Sequence, residues 1–169
     1  MGRLYKEYLN ETLDAEGHVV HVSFKKDPYF NFGYDIVDRI ARENPDKLAM
    51  VWCNEAGEER FITFRQMKEE SDRTASFFQS IGIRKGDAVM LILRRHYEFW
   101  YCIVALHKIG AIAIPATSQL MTKDIVYRVN AASIKAIVCS ADGQIAEQVD
   151  EAQPETETLK IKILVRGKR

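Results

Sequence analysis

No charge of one sign dominates this sequence: across 169 residues, 24 Lys and Arg stand against 24 Asp and Glu. A chain without net charge sets up no long-range field toward a polyanion, which argues against nucleic acid or an anionic membrane surface as partner. Cysteine is scarce and odd in number. Cys53, Cys102 and Cys139 lie far apart in apolar runs, where the residue behaves as a small hydrophobe, and that usage fits the reducing cytoplasm. The N-terminus, MGRLYKEYLNETLDAEG, is charged throughout and lacks the apolar core of a secretory signal. Gly2 has Lys6 where the myristoylation pattern needs Ser or Thr. No uninterrupted apolar run reaches membrane length either. The nearest, residues 99–116, contains His107, Lys108, Gly110 and Pro115, and reads as a buried helix followed by a buried strand.

The usual signatures of chemistry are missing as well. Neither G-x-x-x-x-G-K-[ST] nor G-x-G-x-x-G occurs, so no glycine-rich phosphate cradle is expected. Ser118 and Ser140 lack a G-x-S-x-G elbow, and no cysteine has a plausible His partner nearby in sequence. His18 and His21 are three apart without Cys or carboxylate partners at ligand spacing, so no metal site is assigned. His107 sits near the end of a helix, where a charged imidazole favours the dipole. No catalytic residue is assigned.

What is present is regular alternation. In DIVDRIAREN, Ile36, Val37 and Ile40 share a helical face until Pro45 stops the helix. KLAMVWCN and RFITF, joined by EAGEE, read as a hairpin. Thr63 and Gln66 have capping-box spacing, and behind them Phe64, Met67, Ser71, Ala75, Phe78 and Ile81 recur every three or four residues up to Gly82. There follow the strand AVMLIL, the apolar helix HYEFWYCIVALHKIG, the strand AIAIP, a helix through TKDIVYRVNAAS, the strand KAIVCS, a helix from about Asp142 to Ala152, and the strand KIKILV. Unbroken apolar strands alternating with helices predict an α/β fold: a mainly parallel sheet with helices on both faces. Residues 1–30, with scattered aromatics and no clean period, read as an irregular leader. Residues 31–169 form the α/β part, which stops at VRGKR directly after a strand.

Two segments stand at carboxyl ends of strands, where open α/β sheets bind ligands. In LRRHYEFW, Arg94 and Arg95 either hold a phosphate or carboxylate, or pair with Glu98 and loop carboxylates. In HKIGAIAIPATSQL, the residues after Pro115 offer hydroxyls, an amide and backbone N–H groups from Ala116, Thr117, Ser118 and Gln119 to a ligand, or form a turn that caps the helix starting near Thr122.

Taken together, ITFRQMKEESDRTASFF, GIRKGDAVMLIL and LHKIGAIAIPATSQL resemble, in order, motifs of the AMP-forming acyl-CoA synthetases within the adenylating superfamily. FNFGYDIVDRIARENPDKLAMVW, TSQLMTKDIVYRVNAASIKAIV and LKIKILV are most similar to the medium-chain members. Where those members usually read Leu-Pro-Arg and then a proline before the Glu, the sequence has Leu93, Arg94, Arg95 and then Tyr97 before Glu98, and it has Pro115, Ala116, Thr117 where Pro-Gly-Thr is common. The resemblance implies a parent that joins a small carboxylic acid to ATP with magnesium, releases pyrophosphate, and passes the acyl group from AMP to CoA. It places Ala116, Thr117 and Ser118 near the CoA route. The Ser/Thr/Gly-rich loop, the ribose-binding Asp and the catalytic Lys of the family are not among these residues. The chain is therefore expected to be an N-terminal portion that is inactive alone, binds none of these cofactors tightly, and self-associates. The alternatives are a non-catalytic interaction module, or an adenylation domain that loads a carrier protein or uses an aryl acid.

Overall fold

The computed structural model describes residues 4–25 and 27–166; Gly2 and the terminal Gly167, Lys168 and Arg169 lie outside them. The contacts divide at Phe30/Asn31 into two compact units. In the first, a 3-10 turn (Leu4–Glu7) precedes an antiparallel hairpin of β1 (Leu9–Leu13) and β2 (Val19–Phe24). Asp14 closes its turn: Oδ1 accepts from the amides of Glu16 (3.1 Å) and His18 (2.8 Å), and Gly17 takes φ +85°. This corrects the expectation of an irregular leader. All six residues of β2 are exposed, so no buried face imprints an alternating pattern, although VVHVSF is rich in strand-forming residues.

The second unit opens with a π-helical stretch (Phe32–Asp38) that runs into α1 (Arg39–Glu43). Val37 and Ile40 are buried and Ile36 half-buried, on the expected face. The hairpin follows as β3 (Leu48–Cys53) and β4 (Glu59–Thr63), and then α2 (Phe64–Ser80). The capping box forms as the spacing predicts: Thr63 Oγ1 accepts from the Gln66 amide at 3.3 Å, and Gln66 Oε1 accepts from the Thr63 amide at 2.9 Å. Gly82, at φ +94°, turns the chain away behind this helix. The remaining elements are β5 (Ala88–Ile92), α3 (Glu98–Ile109), β6 (Ile112–Pro115), α4 (Thr122–Ala132), β7 (Ile134–Ser140), α5 (Ile145–Ala152) and β8 (Ile161–Val165).

These last strands form one parallel sheet in the order β6-β5-β7-β8. The order has a physical reason. Right-handed crossovers require that a connection running one way across the sheet use one face and a connection running back use the other. Accordingly α3, which leads from β5 out to β6, packs with α2 against Val89, Leu91, Ala136 and Val138. The helices α4 and α5, which lead back to β7 and β8, pack against Met90, Ile92, Ile137 and Cys139. Alternate residues of β5 and β7 thus enter opposite cores, which is why both strands read as unbroken apolar runs. The direction of progression reverses between β5 and β7. Because all four strands are parallel, their carboxyl ends lie on one side.

Helix α3 is enclosed twice. Cys102, Ala105 and Leu106 face the sheet core, while Val104 joins Val37, Ile62 and Met67 in a second cluster beneath the hairpin. Its lysine is buried too. The Lys108 side chain is 1% exposed, with Nζ 2.7 Å from Asp38 Oδ1 and 2.5 Å from Asp72 Oδ1. The Asp38 contact is an ion pair off the hydrogen-bonding direction, whereas the Asp72 contact is a hydrogen bond. Asn31 fastens the far end of this helix: its Nδ2 donates to His107 O at 2.8 Å, and its Oδ1 accepts from the Gly33 amide at 3.0 Å.

Candidate functional site

Three loops meet the carboxyl side of the sheet: 116–121 after β6, 93–97 after β5, and 141–144 after β7. In the first, Ala116 extends the ladder by one bond, its amide donating to Leu91 O at 2.9 Å. Its φ is not positive, since only Arg95 and Ser133 among described non-glycine residues have that conformation, so alanine stands in the glycine position without strain. Thr117 is exposed and its Oγ1 accepts from the Gln119 amide at 3.3 Å, a local turn. Ser118 is half-buried and makes no hydrogen bond among the described residues. Neither hydroxyl caps α4. That helix is entered at Met121, whose amide donates to Asp124 Oδ2 at 3.2 Å, and it is tied to α5 by Thr122, whose amide donates to Gln148 Oε1 at 2.7 Å and whose hydroxyl donates to Glu151 Oε2 at 2.8 Å. The loop thus turns at Ser118–Gln119 and leads into α4 through the Met121–Asp124 capping box, without a cap from either hydroxyl.

The second loop carries Arg94, Arg95 and His96. Arg95 has φ +52°, and its carbonyl accepts from Trp52 Nε1 at 2.7 Å, which locks the turn against the β3–β4 hairpin. Its guanidinium pairs with Glu55 at 3.2 Å, with both side chains largely exposed, so the pair itself contributes little. Arg94 is exposed and has no partner among the described residues. The two arginines, with Cys53, Asn54, Glu55 and Ala56, line a hollow of about 480 Å³. A neighbouring hollow of about 410 Å³ shares Cys53 and Arg95 and is walled by Trp52, Leu93, Phe99 and Trp100. One is basic and the other aromatic. Glu98 does not pair with the arginines; it turns inward to His96.

His96 is the residue that the sequence did not single out. It is 2% exposed, with Nε2 2.8 Å from Asp142 Oδ2 in the third loop and Nδ1 3.7 Å from Glu98 Oε2. The partners are separated by 46 residues, and the only local sign was a histidine directly behind an apolar strand. Ser140, ending β7, is fully buried with an unpartnered hydroxyl.

Two histidine expectations are corrected. His107 is half-buried, and burial pushes its pKa below the ordinary value, so the imidazole is neutral at pH 7 and does not serve the helix dipole as a cation. His18, in the first unit, has carboxylate neighbours after all: ligand atoms of Asp14, Glu16 and His18 lie within 4.8 Å of one another. The turn of the hairpin, invisible in the spacing, brings them together. All three side chains are solvent-accessible, and Asp14 is engaged in closing that turn.

No described helix is long and apolar enough to cross a membrane. Among solved structures, the chain is similar to a putative long-chain-fatty-acid CoA ligase from Rhodopseudomonas palustris (TM-score 0.70, 23% identity, 81% of this chain, 33% of that one). It is equally similar to the N-terminal domain of FACL13 from Mycobacterium tuberculosis (TM-score 0.70, 22% identity, 80% and 33%). At that identity the likeness establishes the fold, that of adenylate-forming acyl-CoA ligases. Among curated proteins it is 34% identical over 143 residues to the mitochondrial acyl-coenzyme A synthetase ACSM5 of Rattus norvegicus (81% of this chain, 24% of the relative). It is 32% identical over 168 residues to the mitochondrial ACSM3 of Pongo abelii (92% and 28%). The chain thus spans about a quarter of the length of these relatives. Residues 37–169 match the family of AMP-binding enzymes, and the chain belongs to that family.

Proposed function

We propose that this chain is the N-terminal part of an ATP-dependent acyl-CoA synthetase acting on a short- or medium-chain carboxylic acid. The whole enzyme forms an acyl-adenylate with loss of pyrophosphate and then transfers the acyl group to CoA. The observation that carries this reading is the family match over residues 37–169 together with relatives named as acyl-CoA synthetases. On this reading the part in hand is scaffold and one wall of the cleft. The loop of Ala116, Thr117 and Ser118 borders the CoA route, offering an unengaged hydroxyl at Ser118 and exposed backbone. Magnesium takes oxygen ligands, chiefly carboxylates and substrate phosphates with waters, and residues 116–118 offer no carboxylate. On this reading the ATP and magnesium sites lie in the rest of the enzyme, and the chain alone is inactive.

Pyrophosphate release by the full-length protein, with ATP, CoA and a panel of carboxylates, tests the reading. Turnover with hexanoate or butyrate supports it. No turnover with any acid overturns it, and turnover restricted to aryl acids or to a carrier-protein thiol replaces the substrate. Substituting Ser118→Ala raises the KM for CoA and leaves adenylation intact. Self-association of the chain is proposed through β8, where Ile161, Ile163 and Val165 are only half-covered and Leu164 is 43% exposed at a free sheet edge. A monomer by light scattering refutes it. The cytoplasm is proposed from three free cysteines. The relatives are named as mitochondrial, so imaging the tagged full-length protein decides the compartment.

A further inference from the structure

Open α/β sheets bind ligands in the crevice where the order of strands reverses, which here lies between the loops leaving β5 and β7. One imidazole spans that crevice. His96 belongs to the loop after β5, Asp142 to the loop after β7, and Glu98 is the first residue of α3. Nε2 lies at hydrogen-bonding distance from Asp142, 2.8 Å, and Nδ1 lies 3.7 Å from Glu98 Oε2. Both Nδ1 and that carboxylate oxygen are buried without hydrogen-bond partners.

A neutral imidazole has one donor and one acceptor. If Nε2–H is given to Asp142, Nδ1 turns a lone pair toward a carboxylate oxygen, and two buried acceptors are left unsatisfied. With protons on both nitrogens the same ring donates in both directions, and closing the 3.7 Å gap to Glu98 satisfies both atoms. Its own loop also carries two arginines: Arg95, drawn outward to Glu55, and Arg94, exposed. From β3 the adjoining hollow receives Trp52 and the thiol of Cys53.

We propose that His96 is a proton-operated clasp across this crevice. Protonated, it holds the start of α3 and the approach to α5 together through Glu98 and Asp142, and the crevice is closed. Deprotonated, the ring loses its bond toward Glu98 and its bond to Asp142 loses charge assistance and weakens, so loop 141–144 separates more readily from loop 93–97 and the crevice opens to a ligand. Neither ATP nor CoA takes part, so the device stands or falls independently of the reaction proposed above.

The test is NMR of the protein labelled in its histidine rings and backbone amides, from about pH 5 to about pH 8.5, the range in which histidine changes charge. The expected result is that amides of loops 93–97 and 141–144 shift together, with the midpoint of the His96 ring. In His96→Gln this joint shift disappears. Asp142→Asn, at a half-buried loop position, provides a second variant should the buried substitution fail to fold: there the ring still titrates, but loop 141–144 no longer follows it. The proposal is overturned if the ring titrates while loop 141–144 stays still in the unsubstituted protein, or if both loops shift as before in either variant.

Discussion

Replacing Lys108 by Met removes a charge from the most enclosed ion pair in the second unit. The wild-type ammonium is 1% exposed and faces Asp38, itself 6% exposed, and Asp72, 40% exposed. In Lys108→Met the Asp72 carboxylate turns to water and keeps Lys68, which contacts its other oxygen at 2.6 Å. Asp38 has no such exit. Leaving one buried partner of an ion pair uncompensated costs about 3–5 kcal/mol, which is a large part of the about 5–15 kcal/mol that holds a domain folded. For a chain of this size about 1 kcal/mol moves the melting temperature by about 2–4 °C, so a fall of roughly 10 °C is expected in a circular-dichroism melt. The cause is separable from lost packing. Adding Asp38→Leu to Lys108→Met removes the stranded charge, and apolar replacement of a whole buried pair is often neutral or stabilising, so the double variant should melt above the single one. A single variant within about 1 kcal/mol of wild type, or a double variant no better than the single, would refute the reasoning. Acid adds a second check. Burial raises the Asp72 pKa, but hydrogen bonds from Lys108 and Lys68 outweigh it and hold the carboxyl below its ordinary value. A depressed carboxylate stabilises the fold above its unfolded pKa and loses that contribution as pH falls through the folded one. Lys108→Met should therefore show a weaker loss of stability on acidification below about pH 4, read from melts across pH.

Three further outcomes follow from local geometry. Gly33→Ala places a methyl 2.5 Å from Lys108 Cγ and should destabilise by about 1–3 kcal/mol in urea unfolding, less in a Lys108→Ala background. Thr63→Ala removes the capping oxygen of α2 and should cost about 1 kcal/mol by the same measurement. Burial pushes the thiols of Cys102 up to about 12 and Cys139 up to about 11, while Cys53 is exposed, so a thiol reagent at pH 8 should modify one cysteine in the native protein and three after denaturation.

How much of this was legible depended on whether the information was local. Periodicity disclosed α2 because Met67, Ser71, Ala75 and Phe78 all face one core, and the capping box stood in four consecutive residues. The parallel sheet was legible because β5 and β7 are buried on both faces. The leader hairpin was missed because exposure on both faces leaves no pattern to read. That Ala116, Thr117 and Ser118 leave the carboxyl end of a strand was legible from Pro115 and the change in polarity behind it. His96 was not found because its partner lies 46 residues on, a distance that only the strand order closes. Lys108 was hidden by its company: in an apolar helix a single lysine counted against a membrane span, and nothing nearby in sequence announced Asp38 or Asp72 as its partners.

The buried charges are also sorted by position, with a consequence for how the fold responds to pH. At the amino end of the sheet, Lys135 bridges Asp87 at 2.6 Å and the carbonyl of Gly82 at 2.8 Å. Between α2 and α3, Lys108 bridges Asp38 and Asp72. These pairs join lysine to carboxylate, groups whose ordinary titration lies well outside pH 5–8. Burial lowers the pKa of His107, near the end of α3, from its ordinary value and so favours its neutral form. The carboxyl end is joined instead by His96, whose side chain type changes charge in that interval, and it is flanked by two carboxylates that gain or lose a donor when it does. A scaffold tied by lysines and a crevice tied by histidine therefore separate two jobs. On the clasp proposed above, changes in pH within the physiological interval act on the loops where strand order reverses and on the start of α3, and leave the lysine-tied parts of the sheet and α2 as they are.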